Sequence, residues 1–183
     1  MKDFMRNYSL DLATQTKSGL FIARSDFYLP EDVTLEDGTI FRQGKKYFTL
    51  SEIDALKALK SPHTVIPCGW DVPSYKELRE IAAEFSVRDG NHHSHHLMTS
   101  LGLGLYGNII GESLYVHYNA DPQNGLCYVG GYNVSGCYLG RSALSPDIPC
   151  ALYMYGGNDN IVVSKQCNPS ANATVRLVFR SLS

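Results

Sequence analysis

The segment Cys68–Leu78 constrains the fold most, because it places the single tryptophan of the chain, Trp70, directly before a helix start signal. Ser74 is a typical N-cap residue, and Glu77 three positions later completes a capping box. The sequence therefore predicts a helix that begins near Tyr75. The indole of Trp70 is interpreted as a core anchor beside this helix and not as a ligand contact.

Two helices are predicted from the spacing of apolar residues. In the helix from Tyr75, the positions that recur at helical spacing are Leu78, Ile81, Ala82 and Phe85. The run Arg88–Gly90 is the expected stop for this helix. Another amphipathic helix is predicted upstream, from Ser51 with Asp54 as its capping acid, and it is expected to end at Ser61-Pro62.

The remaining upstream sequence predicts two smaller units. Residues 1–25 alternate weakly without a helical period, and they are interpreted as an N-terminal arm that is held either by the domain itself or by neighbouring subunits. Residues 26–61 are predicted to form a β-hairpin, with its turn at Asp37-Gly38, followed by the upstream helix. This unit either precedes the main domain, residues 62–183, or supplies its first strand and helix.

Four motifs occur in an order that resembles a known family. They are Gly69–Ser74 with Glu77-Leu78, the run Leu101–Gly107, the aromatic run Tyr128–Leu139, and Val175–Val178. The chain is similar over roughly residues 62–181 to the Fibrobacter succinogenes major paralogous domain, which belongs to the C-type-lectin-like fold. The resemblance implies an α+β domain with two helices beside a twisted antiparallel sheet and long loops. Sugar-binding, protein-binding and adhesin functions all occur on that fold, so the function is argued from the residues.

Charge and hydropathy exclude several classes of partner. Lys and Arg total 16 against 18 Asp and Glu, and no basic run could follow a phosphate backbone, so nucleic acid is not expected. No segment approaches about 18 continuous apolar residues, so membrane insertion is not expected. The segment Met1–Arg6 lacks the apolar core of a signal peptide. Members of the similar family are often exported, whereas no export signal is expected in this segment. This difference favours a virion component made in the host cytoplasm.

The cysteines predict neither a metal centre nor a disulfide framework. There are 5 of them, without C-x-x-C spacing: Cys68, Cys127, Cys137, Cys150 and Cys167. They are expected to be mostly reduced and buried. The alternative is a Cys127–Cys137 bridge across a hairpin. No cofactor is expected.

The stretch 101–157 has the composition of a binding surface. It holds 8 of the 12 tyrosines and 11 of the 16 glycines, whereas all 7 phenylalanines lie outside it. Tyrosine with Gly, Ser and Asn provides rigid contact area and adaptable hydrogen bonding at low entropic cost. A competing interpretation is that alternating tyrosines mark half-buried strands. The predicted ligand-binding residues are Tyr118, Asn119, Tyr128, Tyr132, Asn133, Tyr138, Arg141, Tyr155 and Asn158.

The residue types indicate two candidate metal sites. His93 and His95 form a His-x-His pattern that resembles the axial metal sites of some trimeric phage spikes, and the alternative is a solvated loop after the helix. Asn158-Asp159-Asn160 offers oxygen ligands for calcium. The Glu-Pro-Asn or Gln-Pro-Asp triplets of calcium-dependent lectins are missing, which argues against that activity.

The sequence predicts a binding protein without enzymatic activity. No cysteine lies beside a histidine or carboxylate that could activate it, and no pair of acids stands out for glycoside hydrolysis. The expected function is a bacteriophage virion protein, a tail-fibre-like adhesin or decoration protein for host attachment. Its expected partners are other virion subunits, through the N-terminal segment, and a glycan or protein of the bacterial surface. A homo-oligomer is expected, with a trimer as the default. The alternatives are a bacterial ligand-binding module and a purely structural virion protein.

Overall fold

The computed structural model describes residues 2–106, 108–111, 126–130, 135–157, 161–170 and 172–181. Within these ranges the helices are α1 (Lys2–Met5), α2 (Leu50–Ala58), α3 (Tyr75–Phe85) and α4 (Ser94–Leu101), with 3-10 turns at Arg6–Tyr8 and Leu10–Leu12. The strands are β1 (Thr14–Gln15), β2 (Phe21–Ile22), β3 (Val33–Thr34), β4 (Ile40–Phe41), β5 (Trp70–Asp71), β6 (Val87–Arg88), β7 (Asn91–His92), β8 (Asn108–Gly111), β9 (Leu126–Gly130), β10 (Ser135–Arg141), β11 (Pro149–Tyr155), β12 (Ile161–Ser164) and β13 (Val178–Phe179).

Helix α3 and its entry confirm the prediction made from Cys68–Leu78. The Ser74 hydroxyl accepts from the Glu77 N–H at 3.2 Å, and the Glu77 carboxylate accepts from the Ser74 N–H at 2.8 Å. Trp70 is 4% exposed, and its ring centre lies 5.4 Å from that of Tyr8 and 5.6 Å from that of Phe179. The indole is therefore a core anchor.

Helix α2 and the hairpin β3–β4 are also present where the sequence predicts them, but the cap of α2 differs. Ser51 and Asp54 do not cap the helix. Thr49 is the N-cap, with its Oγ1 accepting from the Glu52 N–H at 3.2 Å, and the Glu52 carboxylate bonds back to the Thr49 N–H at 2.9 Å. In the hairpin turn, Gly38 has a φ of 87°, a conformation that favours glycine.

The described strand ladders are antiparallel, which places the chain in the α+β class. The larger sheet has the order β1-β2-β13-β5, and the three-stranded sheet has the order β10-β11-β12. Adjacent side chains of a strand point to opposite faces, so the three-stranded sheet divides two apolar clusters. Cys137, Leu139 and Ala151 belong to one cluster, and Tyr138, Cys150, Leu152 and Met154 belong to the other.

Of the two alternatives for the N-terminal arm, the structure shows the one in which the domain itself holds it. Strand β2 is an inner strand of the four-stranded sheet, with Ile22 opposite Val178 of β13. Phe4 and Tyr8 are 4% and 6% exposed and belong to the same apolar cluster as Phe27. Residues 26–61 share this cluster as well. The sequence could not indicate this packing, because a two-residue strand is too short to carry a periodic signal.

The described cysteines are free thiols, as predicted. Cys137 and Cys150 are buried, Cys167 is half-buried and Cys68 is exposed. The alternative bridge to Cys127 stays a prediction, because the Cys127 side chain lies outside the described part of the structure. Burial raises the pKa of Cys167 to about 11 and that of Cys150 to about 12, so these two thiols stay protonated at neutral pH.

Candidate functional site

The Tyr- and Gly-rich stretch leaves the core and returns to it at one place. The Tyr138 Oη accepts a hydrogen bond from the Gly104 N–H at 2.8 Å. A Cβ added to Gly136 would lie 2.5 Å from the Gly104 carbonyl oxygen, so the two backbones approach too closely for any side chain at this position. We call these contacts of Gly104, Gly136 and Tyr138 the closed base.

Between the two sides of the closed base the chain forms the hairpin β8–β9. Asn108 pairs with Gly130, and Gly111 pairs with Leu126, with an irregularity between Asn108 and Ile110. Because Gly111 and Leu126 are partners, residues 112–125 connect two neighbouring positions at the end of this hairpin. Only the part of the stretch between Gly104 and Gly136 leaves the closed base and returns to it, and we call this part the excursion.

Four of the nine predicted ligand-binding residues belong to this excursion and lie outside the described residues: Tyr118, Asn119, Tyr132 and Asn133. Asn158 lies outside the described residues too, and so does the calcium candidate Asn158-Asp159-Asn160. Tyr128 belongs to β9. Tyr155 is 39% exposed and pairs with Ser135, the first described residue after the excursion, so it lies beside the closed base.

Tyr138 does not lie on a surface, and its prediction as a ligand contact is wrong. Its side chain is 1% exposed, and its hydroxyl donates to Asp26 Oδ2 at 3.1 Å while accepting from Gly104. Burial raises the pKa of this phenol well above its usual value, so it stays protonated. For Tyr138 the competing interpretation, a strand tyrosine that fills the core, is the correct one.

Arg176 is the centre of a buried network next to the closed base. Its Nε lies 2.9 Å from Asp26 Oδ1, and its Nη atoms donate to the carbonyls of Leu101 at 2.6 Å, Ala23 at 3.1 Å and Gly102 at 3.0 Å. Burial raises the pKa of Asp26, with the Arg176 charge acting in the opposite direction. Arg176 thus satisfies carbonyls at the end of α4 and positions the segment that enters the excursion. Its role is therefore structural.

Arg141 is also held by residues of its own chain, so its prediction as a ligand contact is wrong. Its Nη2 lies 2.6 Å from Asp54 Oδ1 and 3.0 Å from Asp71 Oδ1. Lys57 adds a contact of 2.8 Å to the other Asp71 oxygen. The Arg141 side chain is only 14% exposed, and its donors are engaged by these carboxylates and by the Pro146 carbonyl. The charge cluster joins α2, β5 and β10.

We expect Asp71→Asn to remove an acid-sensitive part of the stability. Burial acts to raise the pKa of Asp71, but hydrogen bonds and charge from Arg141 and Lys57 outweigh it and hold the pKa below its usual value. A carboxyl with a lowered folded-state pKa stabilises the fold above its unfolded-state pKa, and this contribution is lost as the pH falls through the folded-state value. The free energy of unfolding should therefore differ most between wild type and variant above about pH 5, and the difference should shrink below about pH 4.

Urea denaturation at a series of pH values checks this expectation, with Asp147→Asn as the control because Asp147 is exposed. If the free energy of unfolding differed between wild type and Asp71→Asn by the same amount at every pH, Asp71 would not be the source of acid-sensitive stability.

The histidine cluster does not form a solvated loop. His93 is the N-cap of α4 and His95 lies in its first turn. Asp89 and Gly90, with φ of 51° and 81°, make the turn of the preceding hairpin β6–β7. Among the described residues, no three His, Cys, Asp or Glu side chains are grouped so that they could hold a metal ion. A metal held by His93 and His95 stays a prediction.

Sequence reasoning did not single out Asp26, Gly104 or Gly136. The signal that could have found Gly136 is a glycine within the strand-like run Ser135–Arg141, since such a glycine often marks close approach of another backbone. For Asp26, no local pattern indicates a partner that lies 150 residues away along the chain.

No family model, curated protein or solved structure matches this chain. Its class is therefore defined by the observed fold, an α+β protein with antiparallel sheets. In the part of the chain that the structure describes, no helix has the length and apolar character to cross a membrane.

Proposed function

We propose that this chain is a C-type-lectin-like display domain that acts as a non-enzymatic adhesin of a bacteriophage particle. The binding surface would be the Tyr-, Asn- and Gly-rich excursion between residues 107 and 134, with Tyr155 at its margin. The closed base is the observation that supports this proposal. Because buried contacts hold the two ends of the excursion together, its sequence can serve binding without disturbing the core.

The chemistry of the excursion supports an uncharged ligand surface. Arg176, next to the closed base, is engaged by the Asp26 carboxylate of the same chain. Between residues 107 and 134 the sequence holds four tyrosines and four asparagines, two acids, Glu112 and Asp121, and no Lys or Arg. Tyrosine rings and asparagine amides suit sugar faces, hydroxyl groups and neutral protein epitopes. A glycan or protein of the bacterial surface is the proposed ligand class.

Exposed apolar side chains support docking through the N-terminal segment. Met5, Leu10 and Leu12 are 36%, 41% and 43% exposed and lie within eight residues of one another. Apolar groups grouped in this way are typical of surfaces that pack against a partner. Other subunits of the particle are the proposed partners, and a homotrimer is the proposed assembly by analogy with other appendages. The setting in a phage particle rests on the family resemblance of the sequence.

Attachment to bacterial cells tests the proposed function. We expect fluorescently labelled full-length protein to bind a subset of strains, and a Tyr118→Ala/Tyr132→Ala double variant to lose at least about tenfold in affinity for those strains. Tyr28→Ala is the matched control, because Tyr28 is 39% exposed but belongs to the N-terminal half. Fluorescence of Trp70 reports whether each variant is folded.

Two results would contradict the proposal. Equal binding by the double variant and the wild type would show that the excursion is not the binding surface. Failure to bind any strain, together with normal incorporation into particles, would favour the structural virion protein without receptor binding.

A further inference from the structure

The three-stranded sheet has one covered edge and one open edge. The outer edge of β10 is covered, since the Leu139 N–H donates to the Thr174 carbonyl at 2.9 Å and the Arg141 N–H donates to the Pro73 carbonyl at 2.9 Å. Strand β12 pairs with β11 alone, and no described residue forms a backbone hydrogen bond with its other side. Within the described ranges, the N–H and C=O groups that point outward from β12 are thus available for strand pairing.

Strand β12 also lacks the features that normally protect an open edge. Its sequence is Ile161-Val162-Val163-Ser164, with no charged residue and no proline. Val162 is 49% exposed. Lysine, proline and bulges are the usual means by which edge strands avoid pairing with other chains, and none of them is present within β12. This strand is therefore a good template for an added strand.

A groove runs beside this edge, between β12 and α3. The residues of α3 that line it are spaced by three and four positions, so they form one face of the helix: Arg79, Ala82, Ala83 and Ser86. The opposite wall is Ile161 and Val163 of β12, and the cavity has a volume of about 400 Å³. The alanine side chains leave room that larger residues would fill, and this room would suit the side chains of an extended segment.

The charges of the groove favour an anionic occupant. Arg79 is exposed, and its guanidinium lies 5.7 Å from the centre of the Tyr75 ring without an ion pair to a described residue. His92 also lines the groove, and its Nδ1 lies 2.7 Å from the Ser86 Oγ, two helical turns after Arg79. Of the lining residues that the structure describes, none carries a carboxylate. Arginine binds carboxylates through paired hydrogen bonds, so an acidic side chain matches this site.

We propose that the groove between α3 and β12 binds an extended acidic segment of a partner protein, which adds a fourth strand along the outer edge of β12. The segment gains backbone hydrogen bonds from β12, places small apolar side chains against Ala82 and Ala83, and pairs an Asp or Glu with Arg79. A second copy of this chain fits less well, because pairing of two β12 edges would bring two cationic grooves together. The site is separate from the Tyr-rich excursion and goes beyond the proposed function.

Fluorescence anisotropy with a synthetic peptide tests this site on the full-length protein. The probe is a labelled, capped Val-Asp-Val-Ala-Val-Asp-Val peptide, and its control has Asn in place of both Asp residues. We expect the Asp peptide to bind, and the Asn peptide to bind at least about tenfold more weakly. Arg79→Glu should weaken binding of the Asp peptide at least about tenfold, since it replaces attraction by repulsion, and Ala83→Leu should abolish binding by filling the groove.

Arg24→Glu is the matched control, because Arg24 is an exposed arginine outside the groove, and it should bind the Asp peptide as the wild type does. Failure of the Asp peptide to bind, or binding unchanged by both groove variants, would overturn the proposal. Sedimentation with and without Val162→Lys adds a further check. A wild-type dimer that this substitution dissociates would assign the edge to a second copy of the chain and would overturn the proposal as well.

Discussion

Replacement of Arg176 by alanine should lower the free energy of unfolding by about 3–5 kcal/mol. The Arg176 side chain is 7% exposed, and its removal would leave the Asp26 carboxylate without its cation. The carbonyls of Leu101 and Gly102 would lose their donors at the same time. Uncompensated buried charge and unsatisfied buried carbonyls both favour the unfolded chain, where water solvates them. Urea denaturation followed by the fluorescence of Trp70 measures the change.

A surface arginine provides the control for Arg176. Arg42 pairs with Asp32 at 2.9 Å, but the two side chains are 75% and 52% exposed. Water screens such a pair, so Arg42→Ala should leave the free energy of unfolding nearly unchanged. If Arg42→Ala and Arg176→Ala lowered the free energy of unfolding by similar amounts, the buried network would stabilise this fold no more than an exposed ion pair does.

Replacement of Trp70 by alanine should also cost about 3–5 kcal/mol of folding free energy. The indole packs against Tyr8 from the N-terminal segment and Phe179 from β13, so its removal opens a cavity where three parts of the chain meet. Because Trp70 is the only tryptophan, circular dichroism replaces fluorescence as the readout of urea denaturation.

The control for Trp70 is Leu144→Ala, because Leu144 is 67% exposed and should contribute little to stability. If Trp70→Ala unfolded at the same urea concentration as the wild type but no longer attached to cells, the residue would be a ligand contact, and its assignment to the core would be wrong.

Local patterns account for the parts of the fold that the sequence predicted. The capping box of Ser74 and Glu77 needs only residues three apart, and the turn at Gly38 needs only a residue that tolerates positive φ. The burial of Trp70 followed from its size and its position before α3. The cap of α2 was misassigned by two residues, because Thr49, Ser51 and Asp54 are all acceptable N-cap residue types.

The sequence predicted which stretch has the composition of a binding site, but it did not predict correctly which of its residues are exposed. Tyr155 is exposed, as a binding residue must be, whereas Tyr138 faces the second apolar cluster from the opposite face of the same sheet. Both are strand tyrosines, and the register of β10 against β11 decides which of them is buried. No sequence pattern of residue types could separate the two.

By itself, the sequence determined helices α2 and α3, the hairpin turn, the central role of Trp70 and the concentration of Tyr, Asn and Gly in one stretch. These features depend on neighbours along the chain and on residue type. Only the tertiary structure decided that the N-terminal segment belongs to the core, that Arg141 and Arg176 are structural, and that the Tyr-rich stretch leaves and re-enters at a closed base. Each of these depends on contacts between distant residues, such as Asp26 with Tyr138 across 112 positions, and these contacts form only when the whole chain has folded.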